Sequence, residues 1–151
     1  MRVGLRVLNV AGYAGVVVRN HEGSFVAAKR LQINAPNVAA VEATAILLGC
    51  DLAISLGLDR IIVESDSKEN IYNLVNVSSS GSWEAFPILT KAWRLRDSFQ
   101  DCRWSWVPRS ANIAVHRLAL SSPEMYGITW VNHPPSSLVH ILNKDGLPCP
   151  P

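Results

Sequence analysis

The first third of the chain consists of short apolar runs separated by turn residues, a pattern typical of β-strands. Residues 14–19 and 25–33 are rich in β-branched and apolar side chains. Residues 21–24, which read His-Glu-Gly-Ser, have the composition of a tight turn. The pattern predicts an antiparallel hairpin, and a weaker alternation over residues 3–10 predicts a further short strand before it.

From residue 38 onward, apolar residues recur every three or four positions, which predicts helices. The longest such stretch follows an Asn-Ala-Pro-Asn start and runs to about Leu56, and Gly57 is expected to end it. A buried strand is predicted at residues 59–64. The remaining segments are expected to form helices at residues 68–75, 83–99 and 110–120 and a strand at residues 101–107.

This order of elements predicts an α/β fold built on a mixed sheet. The hairpin makes one side of the sheet antiparallel, and the later alternation of strands and helices makes the other side parallel, with helices on both faces. Six of the nine prolines lie beyond residue 122. We therefore predict one folded domain over residues 1–122 and an extended, proline-rich tail over residues 123–151.

The overall composition limits the classes of protein to consider. With 48% hydrophobic and 17% charged residues, the 151-residue chain suits one globular domain and is not a disordered protein. The net charge of +2 permits a polyanionic partner without requiring one. The three cysteines are far apart and favour neither a disulfide framework nor a zinc site, so a reducing compartment, nucleus or cytoplasm, is expected.

One apolar segment is long enough to cross a membrane. Residues 38–58 have about the necessary length, but Glu42 and Asp51 lie inside the segment. We therefore expect a buried helix and no membrane partner.

The candidate chemistry lies where the predicted central strand ends. Residues 60–67 run from β-branched residues directly into Glu64, Ser65, Asp66 and Ser67. In open α/β sheets, ligands bind beyond the carboxyl ends of the strands, so Asp66 is placed to meet a metal or a substrate. The simpler alternative is that Asp66 or Ser67 only caps the helix that follows.

Four segments in this order resemble the plant ribonuclease H-like domain, the reverse-transcriptase-like group of the type 1 ribonuclease H superfamily. The resemblance extends over roughly residues 7–142, and the segments are residues 15–23 (GVVVRNHEG), 41–43 (VEA), 63–67 (VESDS) and 107–112 (VPRSAN). It implies a ribonuclease H-like, five-stranded mixed sheet. The chain looks like an N-terminally truncated or degenerate member, because residues 9–12 (NVAG) stand where the family has Asp-Gly.

The resemblance also implies a reaction, the hydrolysis of the RNA strand of an RNA–DNA hybrid. Such enzymes hold two Mg²⁺ (or Mn²⁺) ions about 4 Å apart with four carboxylates. Glu42 and Asp66 match the second and third of these and are the expected metal ligands. His116 stands at the position of the fourth and completes the expected catalytic set, whereas the first carboxylate has no counterpart. We therefore expect the activity to be weakened or lost.

Nucleic-acid contacts depend less on the carboxylates, since a hybrid is recognised through its shape, phosphates and 2′-hydroxyls. The expected contact residues are Ser65, Ser67, Arg109 and Asn112. The expected partner is an RNA–DNA hybrid or another nucleic acid. Trp104 and Trp106 are expected to pack in the core rather than to stack on bases.

Three readings stay open from the sequence: a weakened hybrid ribonuclease, a non-catalytic nucleic-acid-binding or interaction module derived from a retrotransposon, and a marginally stable domain with an incomplete sheet. A further alternative is that Glu64 shares a face with Asp66 and replaces a lost ligand in part. If residues 3–10 form the central strand, the sequence places Ala11 where the missing Asp should stand.

Overall fold

The computed structural model describes residues 2–10, 13–35, 37–77, 83–112 and 129–131. Its strands are β1 (Arg2–Val10), β2 (Tyr13–Asn20), β3 (Phe25–Gln32), β4 (Arg60–Ser65), β5 (Asp101–Trp106) and β6 (Thr129–Val131). Its helices are α1 (Val38–Ser55), α2 (Lys68–Asn76) and α3 (Phe86–Leu95), with short 3₁₀ helices at Arg96–Ser98 and Arg109–Asn112.

The strands form one mixed sheet in the order β5-β4-β1-β2-β3-β6. Strands β1, β4 and β5 run parallel, and the pairs β1–β2, β2–β3 and β3–β6 are antiparallel. The α/β fold with a mixed sheet, predicted from the order of elements, is confirmed. Strand β6, a short edge strand, lies inside the segment predicted as an extended tail.

Alternating side chains of β1 bury one face of the sheet beneath α1. Val3, Leu5 and Val7 are each at most 1% exposed. Helix α1 approaches this face closely at Gly49, where a Cβ atom would lie 3.0 Å from Val7 Cγ1. The absence of a side chain at residue 49 thus lets the helix axis come near the central strand.

The ends of the helices agree with the local sequence. Asn37 caps α1 by accepting a hydrogen bond from the Ala40 amide at 2.9 Å. Gly57 follows the end of α1 with a φ of 70°, a left-handed conformation that glycine adopts without steric cost. In the hairpin turn between β2 and β3, Gly23 has a φ of 81°. The predicted turn at residues 21–24 and the predicted helix end at Gly57 are confirmed.

Strand β1 occupies the centre of the sheet and pairs along its length with β2 and β4. The idea of an incomplete sheet is therefore wrong, because residues 2–10 supply the central strand in full. Residue 11 lies outside the described residues, so the place of the missing Asp at Ala11 stays a prediction.

The helix that is long and apolar enough to cross a membrane is α1. Half of its 18 residues are buried inside the protein, and it packs against β1, β2 and α3. This is the behaviour of a core helix in a globular domain. The buried helix predicted from residues 38–58 is thus observed.

Two of the predicted elements lie largely outside the described residues. The last helix, residues 110–120, is described only over the 3₁₀ segment Arg109–Asn112, and nothing is described at His116. The domain boundary at residue 122 and the tail stay predictions apart from strand β6.

Candidate active site and nucleic-acid interface

The site lies at the carboxyl edge of the parallel strands. Strand β4 ends at Ser65, and residues 66 and 67 lead directly into α2. The neighbouring strand β5 ends at Trp106, opposite Ser65, and the Val107 amide donates to the Ser65 carbonyl at 3.0 Å. This pairing holds Asp66 at the end of the central strand, as predicted from the sequence.

Glu42 projects from α1 toward the same place, and its charge interacts with that of Asp66. Burial raises the pKa of the Glu42 carboxyl, and repulsion from Asp66 and Glu69 raises it further. A hydrogen bond from Ser67 and the positive charge of Arg109 oppose this increase of the pKa. The structure therefore brings together the two acids predicted as metal ligands.

Asp66 is also poorly solvated. Burial raises the pKa of its carboxyl, while the Arg109 guanidinium and a backbone hydrogen bond act in the opposite direction. Its Oδ1 atom is buried and has no hydrogen-bond partner among the described residues. Because an ionised carboxylate in such a place lacks compensation, it favours a cation.

Arg109 lies on the outer side of Asp66. Its Nε atom is 3.9 Å from Asp66 Oδ2, and its side chain is 66% exposed. The guanidinium thus reaches both the carboxylates and the solvent, as is required of a group that contacts a phosphate. The side chain of Asn112, the other residue expected near this turn, is not described.

The two serines beside Asp66 form hydrogen bonds inside the protein. Ser65 Oγ accepts a hydrogen bond from the Ser67 amide at 3.1 Å. Ser67 Oγ accepts one from the Asn70 amide at 3.4 Å, so Ser67 caps α2, and its hydroxyl donates to Glu42. Both residues are buried. The simpler sequence reading was thus right for Ser67, and contact of either serine with nucleic acid stays a prediction.

Glu64 does not extend the carboxylate pair. It is 4% exposed, and its Oε1 atom lies 3.5 Å from Arg6 Nε on the neighbouring strand. An ion pair with Arg6 therefore occupies Glu64, which does not act as a free substitute ligand.

Trp106 belongs to the site, which the sequence did not reveal. Its indole Nε1 donates to the Asp66 carbonyl at 3.2 Å, and Lys68 Nζ lies 4.5 Å from its ring centroid. The residue is 42% exposed, so its predicted place in the core is wrong, although Trp104 is half-buried against the core. Trp106 ends strand β5 beside the site, where alternation no longer decides burial.

The donor set fits one divalent cation. The orphaned Asp66 Oδ1 and the nearby Glu42 carboxylate are hard oxygen ligands of the kind that Mg²⁺ prefers, with water completing the coordination. In the part of the chain that the structure describes, no group of three or more His, Cys, Asp or Glu side chains is placed to share a metal ion. The described residues therefore do not supply the ligands of a two-metal centre.

The fold and the carboxyl-edge site define a ribonuclease H-like domain, and comparison with known proteins places the chain in a family. The family described as reverse transcriptase-like matches residues 2–122, so the chain belongs to this family. No curated protein matches the chain.

Solved structures show the same fold at low sequence identity. Ribonuclease H1 from Halobacterium salinarum is 22% identical with a TM-score of 0.72, and the match covers 79% of this chain and 95% of that one. The N-terminal ribonuclease H domain of a Mycobacterium tuberculosis protein, solved as a fusion with maltose-binding protein, is 21% identical with a TM-score of 0.69, covering 79% and 96%.

A third structure, LC11-RNase H1 in complex with an RNA/DNA hybrid, is 13% identical with a TM-score of 0.66, covering 78% of this chain and 91% of that one. At these identities the likeness concerns the fold. The ribonuclease H-like architecture predicted from the sequence is confirmed by the agreement of all three structures.

Proposed function

We propose that this chain is a nucleic-acid-binding domain of the ribonuclease H type that recognises RNA–DNA hybrids and has little or no hydrolytic activity. The observation that carries the proposal is the pairing of Glu42 and Asp66 beside the exposed Arg109. This arrangement puts a cation-binding carboxylate pair and a phosphate-binding guanidinium at one edge of the sheet. The hybrid held by the similarly folded LC11-RNase H1 supports the choice of ligand.

Each described side chain has a defined task in this proposal. Glu42 and Asp66 hold one Mg²⁺ or Mn²⁺ ion, which when bound supplies positive charge that neutralises a phosphodiester. The Ser67 hydroxyl orients Glu42 through its hydrogen bond. Arg109 binds a phosphate oxygen from the solvent side, where it is exposed.

Weak or absent hydrolysis follows from the small number of carboxylates. Two-metal hydrolysis of phosphodiesters requires ligands that hold one ion on each side of the scissile phosphate. The described residues offer two acids, and the sequence has no acid at the first expected position or at His116. We therefore expect the domain to bind the hybrid although it lacks metal ligands that hydrolysis requires.

The test combines binding with cleavage. A labelled RNA–DNA hybrid is titrated with the protein in EDTA and followed by fluorescence anisotropy, with a DNA duplex of the same sequence as a control. We expect binding that prefers the hybrid and weakens with increasing salt, because Arg109 and other basic groups contact phosphates. Equal affinity for both duplexes, or no binding, would contradict the proposal.

The same hybrid is then incubated with Mg²⁺ or Mn²⁺. We expect cleavage at or near the background rate, and Asp66→Asn removes whatever remains. Rapid cleavage that Asp66→Asn abolishes would show that the domain is a working ribonuclease H. A non-catalytic nucleic-acid-binding or interaction module derived from a retrotransposon is the second candidate, favoured by equal affinity for both duplexes, or no binding, together with no cleavage.

A further inference from the structure

The Asp66 carboxylate has two different sides. Its Oδ1 atom is buried without a hydrogen-bond partner among the described residues, and its Oδ2 atom is 3.9 Å from Arg109 Nε. The side chain as a whole is 10% exposed. One oxygen is therefore available to a cation inside the site, while the other already faces a positive charge at the surface.

The formal charges at this place leave room for one cation. Glu42 and Asp66 carry two negative charges when ionised, and Arg109 carries one permanent positive charge. With one divalent cation bound, the net formal charge of these three side chains and the cation is slightly positive, which favours binding of a phosphate. A second divalent cation would lie near the guanidinium, and the described residues place no third carboxylate to share a metal ion with Glu42 and Asp66.

We propose that the Arg109 guanidinium stands in place of a second cation on the outer side of Asp66, so that the site binds one divalent cation per chain. This inference rests on the proposed function for its cation and deepens it. Arg109 then acts in two opposite ways. It repels the cation that binds to Asp66 Oδ1, and it attracts the phosphate of the nucleic acid.

Because Arg109 acts oppositely on the cation and on the phosphate, its removal should change the Mn²⁺ affinity and the hybrid affinity in opposite directions. Isothermal titration calorimetry with Mn²⁺ at pH 8 should give one ion per wild-type chain. Arg109→Gln should bind Mn²⁺ more tightly, on the order of three- to tenfold, because a repelling charge has gone. The same variant should bind the labelled hybrid more weakly in EDTA.

Two further variants separate charge from side effects. Arg109→Lys keeps the positive charge and should keep an Mn²⁺ affinity near that of the wild type. Arg103→Gln is the matched control, because Arg103 is 58% exposed and also pairs with an acid, Asp101, at 3.3 Å. It should change the Mn²⁺ affinity by less than about twofold.

Each result decides the inference separately from the proposed function. Two Mn²⁺ ions per wild-type chain, or an Arg109→Gln affinity equal to or below that of the wild type, would overturn the role of Arg109. A wild type that binds no Mn²⁺ while Arg109→Gln binds one ion would overturn the one-cation site, because the guanidinium would then exclude the cation altogether. If neither binds Mn²⁺, the inference fails, while hybrid binding in EDTA still tests the nucleic-acid function.

Discussion

The sheet face beneath α1 and the carboxyl edge that carries Asp66 are built by opposite rules. Beneath α1, Val3, Leu5 and Val7 are almost completely buried, and apolar groups meet apolar groups. At the edge, a buried carboxylate oxygen of Asp66 has no hydrogen-bond partner among the described residues, and burial and repulsion from Asp66 raise the pKa of Glu42. The first region stabilises the fold, and the second is stable only because the first supports it.

The largest effect is expected from breaking the apolar region. Leu5 is 0% exposed, so Leu5→Ala leaves a cavity in the central strand. We expect a loss of about 2–5 kcal/mol in the free energy of unfolding, measured by urea denaturation. Val38→Ala is the control, because Val38 is also apolar but 66% exposed, and its change should stay below about 0.5 kcal/mol. Similar losses in both variants would contradict the described burial.

The second effect concerns the missing carboxylate. The family resemblance selects residue 11 for it, and this residue directly follows the central strand β1 in the sequence. Ala11→Asp should therefore restore a carboxylate ligand and increase the Mn²⁺ affinity roughly tenfold or more, measured by calorimetry.

Ser24→Asp is the matched control, because it adds the same charge at an exposed position in the turn between β2 and β3, at the opposite end of β2 from residue 11. Its Mn²⁺ affinity should stay near that of the wild type. Equal affinities of Ala11→Asp and the wild type would contradict the place of the missing Asp at residue 11.

The sequence predicts the strands and helices of this protein better than it predicts their pairing. The strands and helices followed from local patterns, such as the turn at Gly23 and the helix end at Gly57. The register of β1 did not, because it depends on a two-residue connection between Val10 and Tyr13 and on pairing with β4, a distant segment.

In the candidate site, too, features that depend on local sequence were predictable and features that depend on distant residues were not. Glu42 and Asp66 were predictable because strand, helix and acid form local motifs. The hydrogen bond of Trp106 to the Asp66 carbonyl joins residues 40 apart in the sequence, and no local pattern indicates it. The same holds for the Arg109 ion pair with Asp66, whose partners lie on different elements.

The third effect tests whether Trp106 positions the site. Trp106→Phe keeps an aromatic ring over Lys68 but removes the donor to the Asp66 carbonyl. We expect the Mn²⁺ affinity to fall roughly threefold, because the segment that carries Asp66 loses a tether.

Trp104→Phe is the control for loss of an indole N–H on the same strand, because Trp104 Nε1 is buried with no hydrogen-bond partner among the described residues. It should leave the Mn²⁺ affinity unchanged. Equal effects of the two substitutions would mean that Trp106 supports the strand and not the site.

The smallest expected effect is a gain in stability, in contrast to the loss expected for Leu5→Ala, because removing a charge from the site should stabilise the protein. The pKa of Glu42 is raised in the folded state by burial and by repulsion from Asp66 and Glu69, against the effect of Ser67 and Arg109. The folded protein therefore binds a proton at Glu42 more tightly than the unfolded chain does. Stability from this group is present below the ordinary glutamate pKa and is lost as the pH rises through the raised value.

Glu42→Gln does not titrate, so at neutral pH its Tm should exceed that of the wild type by roughly 1–3 °C in EDTA, and the difference should vanish in acid. Glu22→Gln is the control, because the Glu22 side chain is 71% exposed, and its Tm should not change. Mn²⁺ should reverse the order by stabilising the wild type and not Glu42→Gln, because a ligand that binds the native state raises its stability. A lower Tm for Glu42→Gln in EDTA would mean that Glu42 stabilises the fold. Glu42 would then behave like the apolar residues beneath α1 and not like a destabilising charge at the edge.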